Sequence, residues 1–139
     1  MVTGEATEAR AWLLKWTPRE WIQLSLGEIR RAEEAYKNRD TQGGLASCRR
    51  AAGMALNAAL LLEPNDAWGR SYIDHLRALD RDDSLPDAVK RACKLLLDTR
   101  PPSPHFLTLR LPGAEDRLLE AARDVMAHAY AVVIRHDAG

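Results

Sequence analysis

Arg49-Arg50-Ala51-Ala52-Gly53-Met54-Ala55-Leu56-Asn57-Ala58-Ala59-Leu60-Leu61-Leu62 is the stretch whose reading decides the fold. From Ala51 onward its only polar side chain is Asn57. The run is well short of the ~18 apolar residues that would suggest a membrane span, and no other run in the chain approaches that length. A helix that is apolar on every side is buried on every side, so this segment is expected to be the central helix of an all-α domain. Its small residues let neighbouring helix axes come close. Asn57, once buried, needs hydrogen-bond partners. A structural hydrogen bond is the first expectation, with a role in fixing helix register beside it.

Outward from this segment the apolar residues recur close to every 3.6 positions, and no strand is expected. Glu63-Pro64-Asn65-Asp66 stops the central helix, and Gln42-Gly43-Gly44 is read as the turn before it, giving a helix over 45–62. Upstream, Thr17-Pro18-Arg19-Glu20 carries a cap, a first-turn proline and a glutamate able to reach back to the cap amide. The helix it opens is expected over 18–38, with Ile22, Leu26, Ile29 and Tyr36 on its buried face. A short first helix over 5–16 places Trp12, Leu13 and Trp16 on one stripe. Downstream, 69–79 presents Tyr72, Ile73, Leu76 and Leu79. Ser84-Leu85-Pro86-Asp87 then opens a helix with Leu85, Val89, Ala92, Cys93 and Leu96 inward. Pro101, Pro102, Pro104 and Pro112 make 100–112 a loop. The last helix, 114–134, has a wide stripe of Leu118, Ala122, Val125, Ala129 and Val132, broadened by Leu119, Met126 and Val133, enough for the core and a second surface together. The expected architecture is an up-and-down bundle of four to five helices, with an N-terminal arm over 1–16, the bundle over 17–134 and a tail over 135–139.

A chain of 139 residues is sized for one domain, large enough to bury roughly two-thirds of its extended surface without metal or disulfide staples. Lys+Arg and Asp+Glu both total 20, so no net field recruits nucleic acid or anionic membrane, and a polyanion site must be a local patch. The N-terminal residues are acidic and lack an apolar signal core. A soluble, cytoplasmic chain is the expectation, with Cys48 and Cys93 as reduced core thiols.

Candidate chemistry is sparse. His75, His105, His128 and His136 have no His, Cys or Glu at the spacing of a helical metal site, and no metal or cofactor is implied. His75 and His128 read as surface or edge histidines. Gly43-Gly44 lacks the context of a phosphate loop and reads as a turn. Trp12, Trp16 and Trp21 crowd the N-terminal quarter, where they read as core or dimer contact, with stacking on bases or sugars as the alternative. Arg49 and Arg50 on one helix, with Lys90, Arg91 and Lys94 on another, are the densest cations. They would form a basic ligand-binding groove if those helices were adjacent, or a solvated face balanced by Asp82, Asp83, Asp87 and Asp98.

The small-residue run of residues 49–61 resembles the central helix of HEPN-domain proteins, which carry a run of the type A-A-E-K-A-L-K-A-L-L there. Glu33-Glu34-Ala35-Tyr36 before it, Asp74-His75-Leu76-Arg77-Ala78-Leu79 after a loop, and Ala121-Ala122-Arg123-Asp124-Val125 in the closing helix follow the family's order. The resemblance covers about 17–134. It implies a HEPN-like bundle paired as a homodimer. Such a protein would serve as a non-catalytic binding or partner module, associated with nucleotide or RNA and with a nucleotidyltransferase partner or a toxin–antitoxin pair. The family's nuclease branch uses Arg and His four to six residues apart. Arg100 and His105 match that count and imply, as an alternative, a metal-independent ribonuclease in which the cation steadies phosphate charge and the imidazole moves a proton. Three prolines between them depart from the helical presentation of active members. Gly53 and Met54 also depart from the family run, which carries charge there.

Residues 32–65 also resemble one tetratricopeptide unit, through Ala35-Tyr36, Asp40, Leu45-Ala46 and Glu63-Pro64-Asn65. This resemblance implies a peptide-binding adaptor. Its second helix is several residues too long, and no ~34-residue repeat recurs downstream.

Overall fold

A computed structural model describes residues 11–100 and 114–138. These residues form six α-helices and one 3-10 turn, with no strand among them. They are α1 (Ala11–Leu14), α2 (Pro18–Lys37), α3 (Thr41–Leu62), the 3-10 turn Asp66–Trp68, α4 (Tyr72–Asp80), α5 (Asp87–Asp98) and α6 (Ala114–Ala138). The described residues thus form an all-α bundle whose five longer helices, α2 to α6, match the expected four to five, with α1 a single turn in the expected N-terminal arm. Residues 5–10 of the expected first helix and 101–113, containing most of the expected loop, lie outside the described residues.

The central helix is enclosed as its composition requires. Ala51, Ala52, Ala55, Leu56 and Ala58 are fully buried, and Leu60 is nearly so. Each large aliphatic side chain removed from water in this way contributes about 1.5–3 kcal/mol. Small residues let helices approach: a Cβ on Gly53 would fall 2.3 Å from Cβ of Tyr72, and one on Gly44 would fall 2.4 Å from the Tyr36 ring.

Contacts along the helices fix their directions. Tyr36 packs on Gly44, Glu28 reaches Arg50, and Trp21 clusters with Ala58, so α2 and α3 are antiparallel. Arg19 pairs with Asp137, and Glu33 with Arg123 at 2.8 Å, so α2 and α6 are antiparallel as well. α5 packs on α4 and α6, burying the expected Val89, Ala92, Cys93 and Leu96.

Local chemistry sets the helix ends. At α2, Thr17 Oγ1 accepts from the Glu20 amide at 3.1 Å and the Thr17 amide donates to Glu20 Oε1 at 3.0 Å, the expected capping box behind Pro18. The start of α3 differs from expectation. Asp40 caps it by accepting from the Gly43 amide at 2.9 Å, so Gly43 and Gly44 lie inside the first turn rather than before it. That carboxylate occupies the amide a phosphate would need. Ser71 caps α4 at the Asp74 amide, after Gly69 turns the chain at a φ of 66°; the helix therefore begins three residues later than expected.

Candidate functional site

An apolar groove runs between α2 and α6. It encloses about 530 Å³, and its lining includes Ile22, Leu26, Ile29, Met126, Ala127 and Tyr130. Ile29 and Met126 form the buried floor, while Leu26 and Tyr130 stand 45% and 41% exposed on either wall. Leu26 corrects the sequence reading, which placed it on the buried face. The positions of α2 that turn inward are Trp21, Ser25, Glu28, Ile29, Ala32 and Tyr36, which leaves Leu26 on the rim. On α6 the wide stripe goes wholly to the core: Leu118, Leu119, Ala122, Val125, Met126, Ala129, Val132 and Val133 are all buried. The second apolar surface is instead supplied by Ala127 and Tyr130, with Ile134 exposed further along the helix. Arg19 with Asp137 closes one end of the groove and Arg123 with Glu33 the other.

The five cations singled out in the sequence do not converge on one groove: Arg49, Arg50 and Lys90 each turn to a different partner. Arg49 turns toward the C-terminal end of α5, donating from Nε to Leu96 O at 2.7 Å and from a terminal nitrogen to Thr99 O at 2.6 Å. It thereby satisfies carbonyls that the helix end leaves open, and burial lowers its pKa. Arg50 points the other way, to Glu28 at 2.9 Å and to Ser47 Oγ at 3.2 Å. Glu28 is a buried carboxylate that the sequence reading missed, held between Arg50 and Arg31. The signal for it is positional: Glu28 stands three residues after Ser25 and four before Ala32, within a buried stripe. Lys90 pairs with Asp83 at 2.7 Å, and Arg91 and Lys94 are exposed. Arg49 also lines a polar cleft of about 400 Å³ with Arg77, Arg81, Asp80 and Asp98. The guanidinium groups of Arg77 and Arg81 have no ion pair among the described residues.

His75 is a second correction. It is fully buried, with Nδ1 2.8 Å from Trp68 O and Nε2 2.7 Å from Asn57 Oδ1. Trp12 stacks on it at 6.1 Å, and Trp68 and Tyr72 flank it at 6.0 and 6.5 Å. Asn57 thus has the structural hydrogen bond expected of it. Spacing alone misled at His75, because the surroundings that bury it come from α1, α3 and the 3-10 turn. Burial lowers its pKa. His128 is half-buried and its pKa is also lowered, by burial first and then by Arg135.

The tryptophans seal one end of the bundle. Trp21 is buried, its indole donating to Leu13 O at 2.9 Å, and Trp16 meets it edge-on at 4.7 Å. The expected helical stripe does not hold for Trp12 and Trp16, since α1 ends at Leu14 between them. Cys48 and Cys93 are buried free thiols whose pKa values burial pushes up to about 11 and about 12, so both are inert thiols at neutral pH. Among the described residues no three His, Cys, Asp or Glu side chains form a metal cluster, and no described helix is long and apolar enough to cross a membrane. Arg100 is exposed two residues after the end of α5, and His105 lies outside the described residues.

Comparison of the chain with protein-family models, with curated proteins and with solved structures gives no match.

Proposed function

We propose that this chain is a non-catalytic, HEPN-like helical module whose working surface is the α2/α6 face, and that it acts by docking a protein there. One observation carries the reading. An apolar groove lies open between two ion pairs, with Leu26 and Tyr130 presented at its rim although the core beneath is already filled. An aromatic and an aliphatic anchor over a packed floor, edged by charge, is the anatomy of a protein interface.

In-cell photo-crosslinking tests it. Benzoylphenylalanine replaces Gln23, which lines the groove, and in a control replaces the exposed Lys94 on α5. A polypeptide adduct from position 23 and none from position 94 is expected. Absence of any adduct from position 23 counts against the docking reading.

A nucleotide- or RNA-associated role is supported separately by the exposed Arg77 and Arg81, which line the polar cleft together with Arg49. Arginine forks suit phosphate, and Asp80 and Asp98 offset part of their charge. Binding of a short RNA that persists at 150 mM salt and is lost in the Arg77→Gln/Arg81→Gln variant is the expected result.

A further inference from the structure

We infer that the flank of α2 beside Trp16 and Met54 is a binding site for a small aromatic carboxylate. It lies apart from the docking groove and does not rest on that reading; among the described residues only Gln23 lines both openings. The starting point is a glycine. Gly27 stands in the middle of the 20-residue α2, where glycine is a much poorer helix former than alanine. Its conformation is not the reason, since the positive-φ glycine of the described residues is Gly69. Packing is not the reason either. A Cβ on Gly43, Gly44 or Gly53 would strike a neighbour at 2.1–2.4 Å, whereas among the described residues nothing lies within 4 Å of a Cβ on Gly27. What the missing side chain does is bare a strip of backbone on the floor of a cavity of about 350 Å³.

The surroundings suit a flat apolar body. Glu20, Leu24, Gly27 and Arg31 follow one another at spacings of four, three and four, which is one stripe of a helix. Trp16 and Met54, both half-buried, face that stripe from outside α2, and Leu24 is 37% exposed within it. An indole, a thioether and a bare peptide strip each pack well against an aromatic ring. The volume falls within the range of sites that hold small ligands.

Charge decides the head group. Glu28 lines the cavity with a side chain only 4% exposed, and Arg50 holds one of its oxygens through both Nε and a terminal nitrogen at 2.9 Å. Arg31 adds a single contact to the other oxygen at 3.4 Å, from a side chain 77% exposed. Arg31 can therefore turn to a ligand while Arg50 still neutralises Glu28. Glu20 accepts from the Thr17 amide within the capping box, and the amide end of α2 offsets its charge. Lys15 lies 4.5 Å over the Trp16 ring. Arg31 and Lys15 thus outweigh the remaining carboxylate, which favours an anion over an amine. The nearby Glu28 favours a monoanion over a dianionic phosphate. Arg31 follows Gly27 by one turn, about 6 Å along the axis, so a ring lying over Gly27 with a short arm brings a carboxylate to the guanidinium fork.

The test is a titration of the full, isotope-labelled chain followed in two-dimensional NMR spectra, with indole-3-acetate as the probe and tryptamine as its amine counterpart. For a probe of about 13 non-hydrogen atoms, saturable shifts of the Gly27 amide and the Trp16 indole N–H are expected with a dissociation constant of about 1 mM or below. Tryptamine should bind at least about tenfold more weakly, and Arg31→Gln should weaken indole-3-acetate by at least about tenfold. Gly27→Leu should cause at least the same loss while raising the melting temperature, because leucine fills the floor and is the better helix former; a lost site is then separated from a lost fold. No saturable shift with indole-3-acetate by about 10 mM, a tryptamine affinity within about tenfold of it, or either variant within about tenfold of the wild type overturns the inference.

Discussion

His75 and Asn57 satisfy each other in only one orientation for each protonation state of the ring. Trp68 offers a carbonyl to Nδ1, so Nδ1 must carry a proton. On a neutral ring Nε2 is then a bare acceptor, and the Asn57 oxygen 2.7 Å away cannot donate to it. Turning the Asn57 amide over supplies the missing donor and gives a partner to Nδ2, which is otherwise buried without one. A doubly protonated ring instead donates to both oxygens. Desolvation opposes that charged form and lowers the folded-state pKa below the ordinary 6.5, Asp74 being the one charge that favours it. The sign follows from linkage: a histidine with a lowered folded pKa contributes fully above about 6.5, and its contribution is lost as pH falls below that value. Urea unfolding of the wild type at pH 7.5, 6.5 and 5.5 should show falling stability, and His75→Gln should flatten that slope. Nitrogen shifts at pH 7.5 should report the neutral Nδ1–H form. An Nε2–H form, or an unchanged slope in the variant, would contradict the account. Gly53 belongs at the same scale. Its missing Cβ makes room for Tyr72, which packs α4 onto α3, so Gly53→Ala should destabilise by about 1–3 kcal/mol despite the better helix propensity of alanine. A stabilised variant in chemical denaturation would show that α4 can shift freely.

Among the helices, the boundaries that could be read were those written in local chemistry. The Thr17 to Glu20 capping box needs only neighbouring residues, and α2 begins where the sequence says; α5 instead begins at Asp87 behind Pro86 without a side-chain cap, because Ser84 turns to Asp82, and Leu85 falls before the helix. The α2–α3 connection was harder, because Asp40 and the two glycines permit either a turn or a capped first turn. Asp40 decides it by accepting from Gly43, and Arg39 adopts the left-handed conformation with a φ of 61° so that the Asp40 amide can reach Ala35 O at 2.8 Å. This is the closing bond of a helix C-terminus that usually carries glycine. A non-glycine residue there costs about 1 kcal/mol, so Arg39→Gly should raise the unfolding free energy by roughly 0.5–1 kcal/mol. A loss of stability on that substitution would mean that the Arg39 side chain contributes more than its backbone strain costs. Leu26 and His75 were misplaced for a different reason. A 3.6-residue period says which residues share a face, but not how much of that face a neighbouring helix covers.

For the molecule as a whole, the enclosed α3 was legible because an apolar circumference has only one stable environment, whereas the α2/α6 groove was not. Its residues come from opposite ends of the chain, and its alternating charge appears only once the two helices are known to be antiparallel. The expectation that the last helix could serve two surfaces has a structural counterpart, though through Ala127 and Tyr130 rather than through the broadened stripe. That division carries a thermodynamic consequence. If the core alone stabilises the fold, the melting temperature is independent of protein concentration. If the α2/α6 face binds a second copy, the folded state is stabilised by mass action and the unfolded chain is not. A hundredfold rise in concentration through the dissociation constant then adds at most about 1.4 kcal/mol, or roughly 3–6 °C in melting temperature for a domain of this size. In the second case, the pairing that the family resemblance implies, differential scanning fluorimetry at 2 and 200 µM shows the wild type melting higher at the higher concentration. Leu26→Glu should melt at one temperature throughout, because a half-exposed rim residue adds little to the core it leaves behind. A wild-type midpoint that does not move would place all of the stability inside one chain.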